Sequence, residues 1–384
     1  MRYFDLDGVE QNVSFDNKQK KAAEDFLHKV ETDKIAGTYR DVRGGEVVFR
    51  DYAQKWLASQ TFKGTTRSNV PSRLKSQAYP FLGDRPLRSI TPTVIRSWLR
   101  WMHDNKTAPS YRRVCFVHVS SILTAAVDDS LIATNPCGAR SVTKPQNERK
   151  KIVPWTDQRV EDVWHALAAR SRIVIPLGAG CGLRQGEMFG LAAGDIDRQA
   201  DVVCIRRQVQ QVDNTLVYCL PKGDKERQVP LPAGVLEQLD AHIAAHSPVA
   251  VTLPWGEPAG ELVTARLVVT DEQGRAWWRQ TFNSTVWQPA LATARVVDPT
   301  RADGTHALRH YYASTLLDGG ESIKAVSEYL GHADPGFTLR IYTHLMPSSH
   351  QRTRELVDQR FRTLGRSTDG PSATETPNDA GQDG

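Results

Sequence analysis

The sequence predicts a multidomain, mainly α protein: a small N-terminal β-β-α unit, a helical domain and a mixed α+β domain. Three observations predict it. The 384 residues suffice for two or three separate cores. Apolar residues recur at helical spacing through most of 46–140 and again beyond residue 306, whereas strand-forming runs gather between 202 and 231. Charge is also segregated. Residues 46–140 carry 14 basic and 6 acidic side chains, against 8 and 9 in 1–45 and 26 and 25 in 141–365. A basic block of that size is the electrostatic footprint of a nucleic-acid clamp, with a solvated helical face as the plainer explanation.

Composition narrows the classes. With 40% hydrophobic and 24% charged residues the chain is ordinary for a soluble globular protein. It has no run of eighteen apolar residues, and MRYFDLDGVE lacks the apolar core of a signal peptide, so a cytoplasmic location is expected. Cys115, Cys137, Cys181, Cys204 and Cys219 are scattered and odd in number, without metal-ligand spacing. Neither disulfides nor a structural metal is expected.

In order, residues 1–45 read as a strand at Tyr3–Phe4, an Asp7–Gly8 turn, a strand through Val13–Phe15 and a helix from about Lys18 to Val30. Residues 46–140 read as four helices. Phe49, Tyr52, Ala53, Trp56 and Leu57 stripe the first, and Leu74 lies in the second, which runs to a turn at Phe81-Leu82-Gly83. The third opens on Thr91-Pro92, an N-cap followed by proline at N1, and carries Ile95, Trp98, Leu99 and Met102 inward. The fourth spans Ser110 to Asp129. Residues 141–153 are polar and basic with no apolar period, which reads as a linker. A domain over 154–365 follows. It begins with a helix around Arg172–Cys181, then a β stretch with strands near Val202–Val209, Leu216–Leu220 and Arg227–Leu231. Residues 248–280 look like a less regular insertion, and 366–384 has the composition of a disordered tail.

The chemistry-bearing stretch is 306–344. His306-x-x-Arg309-His310, Leu330-Gly331-His332 and Tyr342-Thr343-His344 gather proton carriers and a phenol. Between them Ile323, Val326 and Leu330 recur at i, i+3 and i+7, a short helix stopped at Gly331, so His332 is delivered from a rigid element. Upstream, Gly182-Leu183-Arg184-Gln185-Gly186-Glu187 puts an arginine between glycines at a turn between helices. Taken singly, each of these residues is more often a packing or surface residue.

Together these motifs resemble the tyrosine recombinases, the phage integrase family, over about residues 46–365. The resemblance implies a helical core-binding domain at 46–140 and a catalytic domain at 154–365, with 1–45 resembling an arm-type DNA-binding unit. It maps Arg184, His306, Arg309 and His332 to the catalytic set, Tyr342 to the nucleophile and Glu187 to a supporting role. Lys222 matches the family's hairpin lysine, with Lys225 as the rival. Arg67, Arg73, Lys75, Arg96, Arg100, Arg112 and Arg113 are the candidate phosphate contacts.

The chemistry is coherent in its own right. Only about one unperturbed tyrosine in a thousand is ionised near neutrality, so the phenol needs a proton acceptor. Two guanidiniums can fork onto the non-bridging oxygens of a phosphodiester, His332 can donate a further hydrogen bond, and His306 can take the phenol's proton. The implied function is a site-specific recombinase of a mobile element that cleaves and rejoins double-stranded DNA through a 3′-phosphotyrosine, without metal or cofactor. Implied partners are attachment sites, three further copies in a tetramer on two duplexes, a directionality factor and a DNA-bending host protein. The rival readings are a chromosome-resolution recombinase and a catalytically silent DNA-binding protein. A type IB topoisomerase fits the two-domain clamp less well, and a metal-dependent nuclease would need an acidic cluster that the sequence does not show.

Overall fold

The computed structural model describes residues 1–4, 8, 10–16, 19–35, 44–62, 64–146, 152–342 and 350–364. Asp7, part of the 141–153 linker, Thr343, His344 and the 366–384 tail lie outside them. In chain order, β1 (Arg2–Phe4), β2 (Glu10–Asn12) and α1 (Lys20–Ile35) come first. Then follow α2 (Phe49–Ser59), α3 (Thr65–Arg73), α4 (Tyr79–Leu82), α5 (Pro92–Asp104) and α6 (Pro109–Asp128). Next are α7 (Asp157–Ala166), α8 (Gln185–Gly190), β3 (Ile196–Asp197), β4 (Val202–Ile205), β5 (Gln208–Val212), β6 (Thr215–Cys219), β7 (Arg227–Pro230) and α9 (Ala233–Ala245). The last stretch holds β8 (Val249–Pro254), β9 (Leu262–Leu267), α10 (Arg279–Phe282), α11 (Gln288–Thr293), α12 (His306–Asp318), α13 (Ile323–Leu330), α14 (Pro335–Tyr342) and α15 (His350–Leu364).

Contacts divide the chain into two compact units. The first is Met1–Lys151 with Arg207–Cys219 and Val249–Arg279; the second is Ile152–Arg206 with Leu220–Pro248 and Gln280–Gly384. Within the first, β1 and β2 pair antiparallel, and Tyr3 and Val30 are buried with Val13, Phe26 and Leu27 around them. The second strand falls at Glu10–Asn12, earlier than Val13–Phe15. The helical part has its own core, in which Phe49, Leu74, Leu82, Ile95, Trp98, Val119, Ile122 and Leu123 are almost fully buried. Thr91 caps α5 by accepting from the Val94 amide, and Pro92 follows at the position where its missing N–H costs nothing. From α3 to α4 the helix is continuous through a π-helical turn at Leu74–Ala78. The Trp98 indole donates to the Gln77 carbonyl in that turn at 2.7 Å.

By contact, residues 207–219 and 249–279 group with this first unit. The expected strand Val202–Val209 divides at Arg206 because its halves have different partners: β4 pairs with β3 and β7, while β5 pairs, among the described residues, with β6. The insertion forms the β8–β9 hairpin, tied to β6 by the Gly256 amide on Tyr218 O (2.7 Å) and by the Tyr218 hydroxyl on Val251 O (3.0 Å). The β5 side of this module meets α3, where Gln210 donates to the Thr65 hydroxyl at 3.0 Å and Glu257 pairs with Arg67.

The second unit is organised on α12, whose Leu308 faces the stretch Pro176–Gly180. A helix is expected there around Arg172–Cys181. The observed element is a π turn over Pro176–Gly180, since Pro176 brings no N–H to the ladder. A methyl on Gly178 would come within 2.8 Å of both Leu308 and Met188, so only glycine allows this approach. Behind α12 the Trp155 and Trp287 rings stack at 6.0 Å, and the Trp287 indole donates to Asp303 O.

Trp98→Ala removes a fully buried indole and orphans the Gln77 carbonyl. The expected loss is about 3–5 kcal/mol, read as a lower denaturant midpoint of the full chain. Trp278→Ala, at an indole already 36% exposed, should move the midpoint little.

Candidate active site

The site is built around the C-terminus of α13. Ser322 caps that helix by accepting from the Ala325 amide, Val326 and Leu330 are fully buried, and Gly331 ends it in the left-handed conformation. The final carbonyls of a helix have no partner within it and carry the negative end of its dipole. Three guanidiniums occupy them. Arg227 from β7 donates through Nε to Tyr329 O (2.7 Å), Arg309 from α12 donates to Leu330 O, and Arg184 donates to Gly331 O (3.2 Å).

One buried carboxylate joins two of these cations. Glu187, 1% exposed, receives both Nη groups of Arg227 (2.9 and 2.7 Å) and Nη1 of Arg184 (2.8 Å), and its Oε2 accepts the Arg184 amide (2.8 Å). Burial alone would raise its pKa. The bonds and charge of Arg227, followed by the charges of Arg184 and Arg309, outweigh that and bring it down to about 2. Gly182 shapes the turn before Arg184. Its φ is +65°, and a Cβ there would lie 2.4 Å from the Tyr312 ring. Its carbonyl accepts from Arg309 Nη1 at 2.6 Å. Burial, then Arg184, pushes Arg309 down to about 9, which still leaves it a cation at neutral pH.

The histidines are neutral acceptors. Arg309 Nη2 lies 3.1 Å from His332 Nε2, and because a guanidinium only donates, that nitrogen must carry the lone pair. The proton is then on Nδ1, which faces the Thr338 hydroxyl at 2.7 Å, and Thr338 in turn donates to Ser327. His332 is therefore observed orienting Arg309, where the sequence suggested a donor to the phosphate. Burial, then Arg309 and Arg184, lowers its pKa to about 3. His306, Arg309 and His310 stand at i, i+3 and i+4 on one face of α12. The crowding protein and then the charges of His310, Arg309 and Arg184 push His306 down to about 3, although part of its surface is open to solvent.

Tyr342, the last residue of α14, is 2% exposed, and burial raises its phenol to about 12 against the opposing pull of Arg309. Its hydroxyl lies 2.6 Å from His310 Nδ1. The expected proton acceptor was His306. The imidazole found on the phenol is His310, with the His306 ring edge-on behind it at 4.6 Å. Lys222 and Lys225 are both exposed in and just after the turn Pro221–Asp224, and among the described residues neither bonds to this cluster. No group of three or more possible metal ligands occurs among the described residues.

A phage integrase family profile covers residues 146–349, and a phage integrase central-domain profile covers 49–141. The chain belongs to the phage integrase family, the tyrosine recombinases. It is 30% identical over 251 residues to a XerC-like tyrosine recombinase of Caldanaerobacter subterraneus subsp. tengcongensis, over 62% of either chain. To the integrase of Mycobacterium phage L5 it is 26% identical, over 77% of this chain and 74% of that one. The Tn1549 transposon integrase, solved with a circular intermediate DNA, shares its fold with a TM-score of 0.67 at 17% identity, over 80% of this chain and 98% of that one. A lambda integrase tetramer on a Holliday junction gives 0.56 at 16% identity, over 90% and 92%. The chain is a tyrosine-type site-specific recombinase of a mobile element.

In this integrase the sequence reading omitted Arg227, Thr338 and Ser327 and gave His310 no role. Arg227 had a signal in the alternation of β7, which places it on the same face as the buried Val229. Thr338 and Ser327 had none, since a buried hydroxyl in a helix looks like filler.

Removing Glu187 leaves two buried cations without their anion, so Glu187→Ala should destabilise the protein by about 3–5 kcal/mol. Glu187 also dictates a pH effect. Its folded pKa lies below its ordinary 4.5, so its contribution is complete above that value and is lost as pH falls from about 4.5 through about 2. Acid titration of thermal stability should show this limb in the wild type and a weaker one in Glu187→Gln.

Proposed function

We propose that this recombinase cleaves one strand of a DNA attachment site with Tyr342, holds it as a 3′-phosphotyrosine and rejoins it to a new 5′ end. The observation that carries this is the convergence of Tyr342, His310, Arg309, His332 and Arg184 around the end of α13. Arg184 and Arg309 bind the non-bridging oxygens and stabilise the charge that grows in the pentacovalent transition state. His332 holds Arg309 in position. The phenolic oxygen forms a bond to phosphorus, its proton passes to the His306–His310 imidazole pair, and the bond to the 5′ oxygen breaks. That departing oxygen takes a proton from Lys222. Rejoining runs the same steps backwards, and the covalent phosphotyrosine conserves the bond energy.

The assembly is a homotetramer on two duplexes, as in the lambda integrase tetramer on a Holliday junction, assisted by a directionality factor and a DNA-bending protein. Along α15, Val357 and Phe361 expose apolar surface of the kind a neighbouring copy covers. Helices α3 to α6 supply the phosphate contacts. Of their candidates, Lys75 and Arg96 are exposed, and among the described residues Arg96 bonds to Thr93 and Ser141. Arg67 and Arg100 hold exposed carboxylates, Arg73 meets His118, Arg113 donates to Pro145 O and Arg112 is partly buried.

Tyr342→Phe should abolish the protein–DNA adduct on a nicked suicide substrate while leaving DNA binding intact; an undiminished adduct would move the nucleophile elsewhere. Lys222→Ala should slow cleavage by a factor on the order of a hundred or more and be rescued when the 5′ bridging oxygen is replaced by sulfur, a leaving group that hardly needs a proton. The same defect and rescue in Lys225→Ala would transfer the role to Lys225. Neutralising Lys75 and Arg96 should make the dependence of log K on log salt shallower by about 0.9 for each phosphate that the protein no longer neutralises.

A further inference from the structure

We infer that His310, through Nδ1, takes the phenolic proton from Tyr342 during attack and returns it during rejoining; this rests on the reading of Tyr342 as the nucleophile. The contact is direct. At 2.6 Å the Nδ1 to Oη separation is that of a strong hydrogen bond between oxygen and nitrogen. Its direction follows from chemistry: a neutral imidazole offers one lone-pair nitrogen, and a phenol is a far stronger acid than an imidazole N–H, so Tyr342 donates.

The surroundings keep that lone pair available. Burial and then the Arg309 charge hold His310 down to about 4, so it is unprotonated and accepting at neutral pH. His306 lies behind His310 with its ring edge-on, 4.6 Å between centroids, and among the described residues it has no bond to the phenol. A proton taken by His310 would normally suffer from the neighbouring Arg309. When the scissile phosphate seats on Arg184 and Arg309, its negative charge offsets that repulsion as the imidazolium forms. The protons balance: as the Oη–P bond forms and the P–O5′ bond breaks, the phenolic proton goes to Nδ1 and O5′ takes a proton from Lys222; on rejoining, the 5′ hydroxyl returns its proton to Lys222 as it attacks phosphorus, and the leaving phenolate takes the proton back from Nδ1. No oxidant, metal or nucleotide enters.

The test uses the full chain in single-turnover cleavage of a nicked suicide substrate, with either tyrosine or a fluorinated tyrosine of lower pKa at position 342. His310→Gln keeps a hydrogen-bond acceptor of similar reach but cannot take a proton, and His310→Ala removes both. Each should lower the cleavage rate by about a hundredfold to ten-thousandfold with DNA affinity retained. The fluorinated nucleophile, which needs a base less, should recover most of the loss in His310→Gln and change the wild type little. A merely structural histidine predicts a defect that fluorination does not touch. Cleavage by His310→Gln at the wild-type rate would mean that the bond only parks the phenol. Rescue by fluorination in His306→Ala but not in His310→Gln would hand the role to His306. Each of these three results overturns the inference while Tyr342 stands as nucleophile. Adduct formation by Tyr342→Phe is the separate result that removes the nucleophile reading itself.

Discussion

The catalytic half of this protein depends on the carbonyls that end one eight-residue helix, those of Tyr329, Leu330 and the capping Gly331, each of which takes a guanidinium from a different part of the chain. Arg184, Arg227 and Arg309 come from a turn, a strand and another helix, and three like charges so close together repel one another. Two things hold them together. The carbonyls and the helix dipole supply partial negative charge, worth up to about 2 kcal/mol per cation in a partly buried setting. Glu187 supplies a full negative charge to Arg184 and Arg227. Three cations and one carboxylate leave two positive charges unmatched at the centre. A phosphodiester brings one negative charge and its pentacovalent transition state two, so the deficit is better filled at the transition state than in the ground state.

Burial first, and that surplus second, explain the state of the imidazoles. Histidines placed beside three guanidiniums in a crowded site cannot keep a proton near neutrality, and His306, His310 and His332 are all driven well below their ordinary value. Two of them, His332 and His310, meet a donor with their lone pair. His332 spends its lone pair on Arg309, and its one N–H on Thr338, which fixes the ring from both ends. His310 spends its lone pair on Tyr342. Burial beside Arg309 thus leaves one imidazole neutral to position that arginine and another neutral to face the phenol.

Much of this was legible in the sequence because it rests on local rules. Thr91-Pro92 announces the start of α5, Gly331 the end of α13, and the Ile323, Val326 and Leu330 spacing its buried face. The motif order from Arg184 to Tyr342 announces the family. What was not legible depends on pairings that no short window contains. His306 and His310 lie one turn apart on one helix face, so spacing cannot say which of them meets a tyrosine arriving from α14. Arg227 looks like a solvated residue after a charged turn until Glu187 is seen beneath it. The grouping of 207–219 and 249–279 with the helical unit turns on strand partners, since β5 abandons the β4 sheet two residues after it ends.

The two protons of the reaction are handled by groups held in opposite ways. The acceptor is half-buried on α12 and already bonded to the phenol at 2.6 Å, so that contact exists before DNA arrives. The donor, whether Lys222 or Lys225, stands exposed beside a turn in which Gly223 and Asp224 both have positive φ, at +98° and +55°. Two successive residues in that region redirect the chain sharply, so the lysine before them and the lysine after them leave the turn with different headings. In the proposed reaction the donor would be the lysine whose heading meets the departing 5′ oxygen, and because glycine alone holds a φ near +98° without strain, that heading would depend on Gly223 as well as on the lysine.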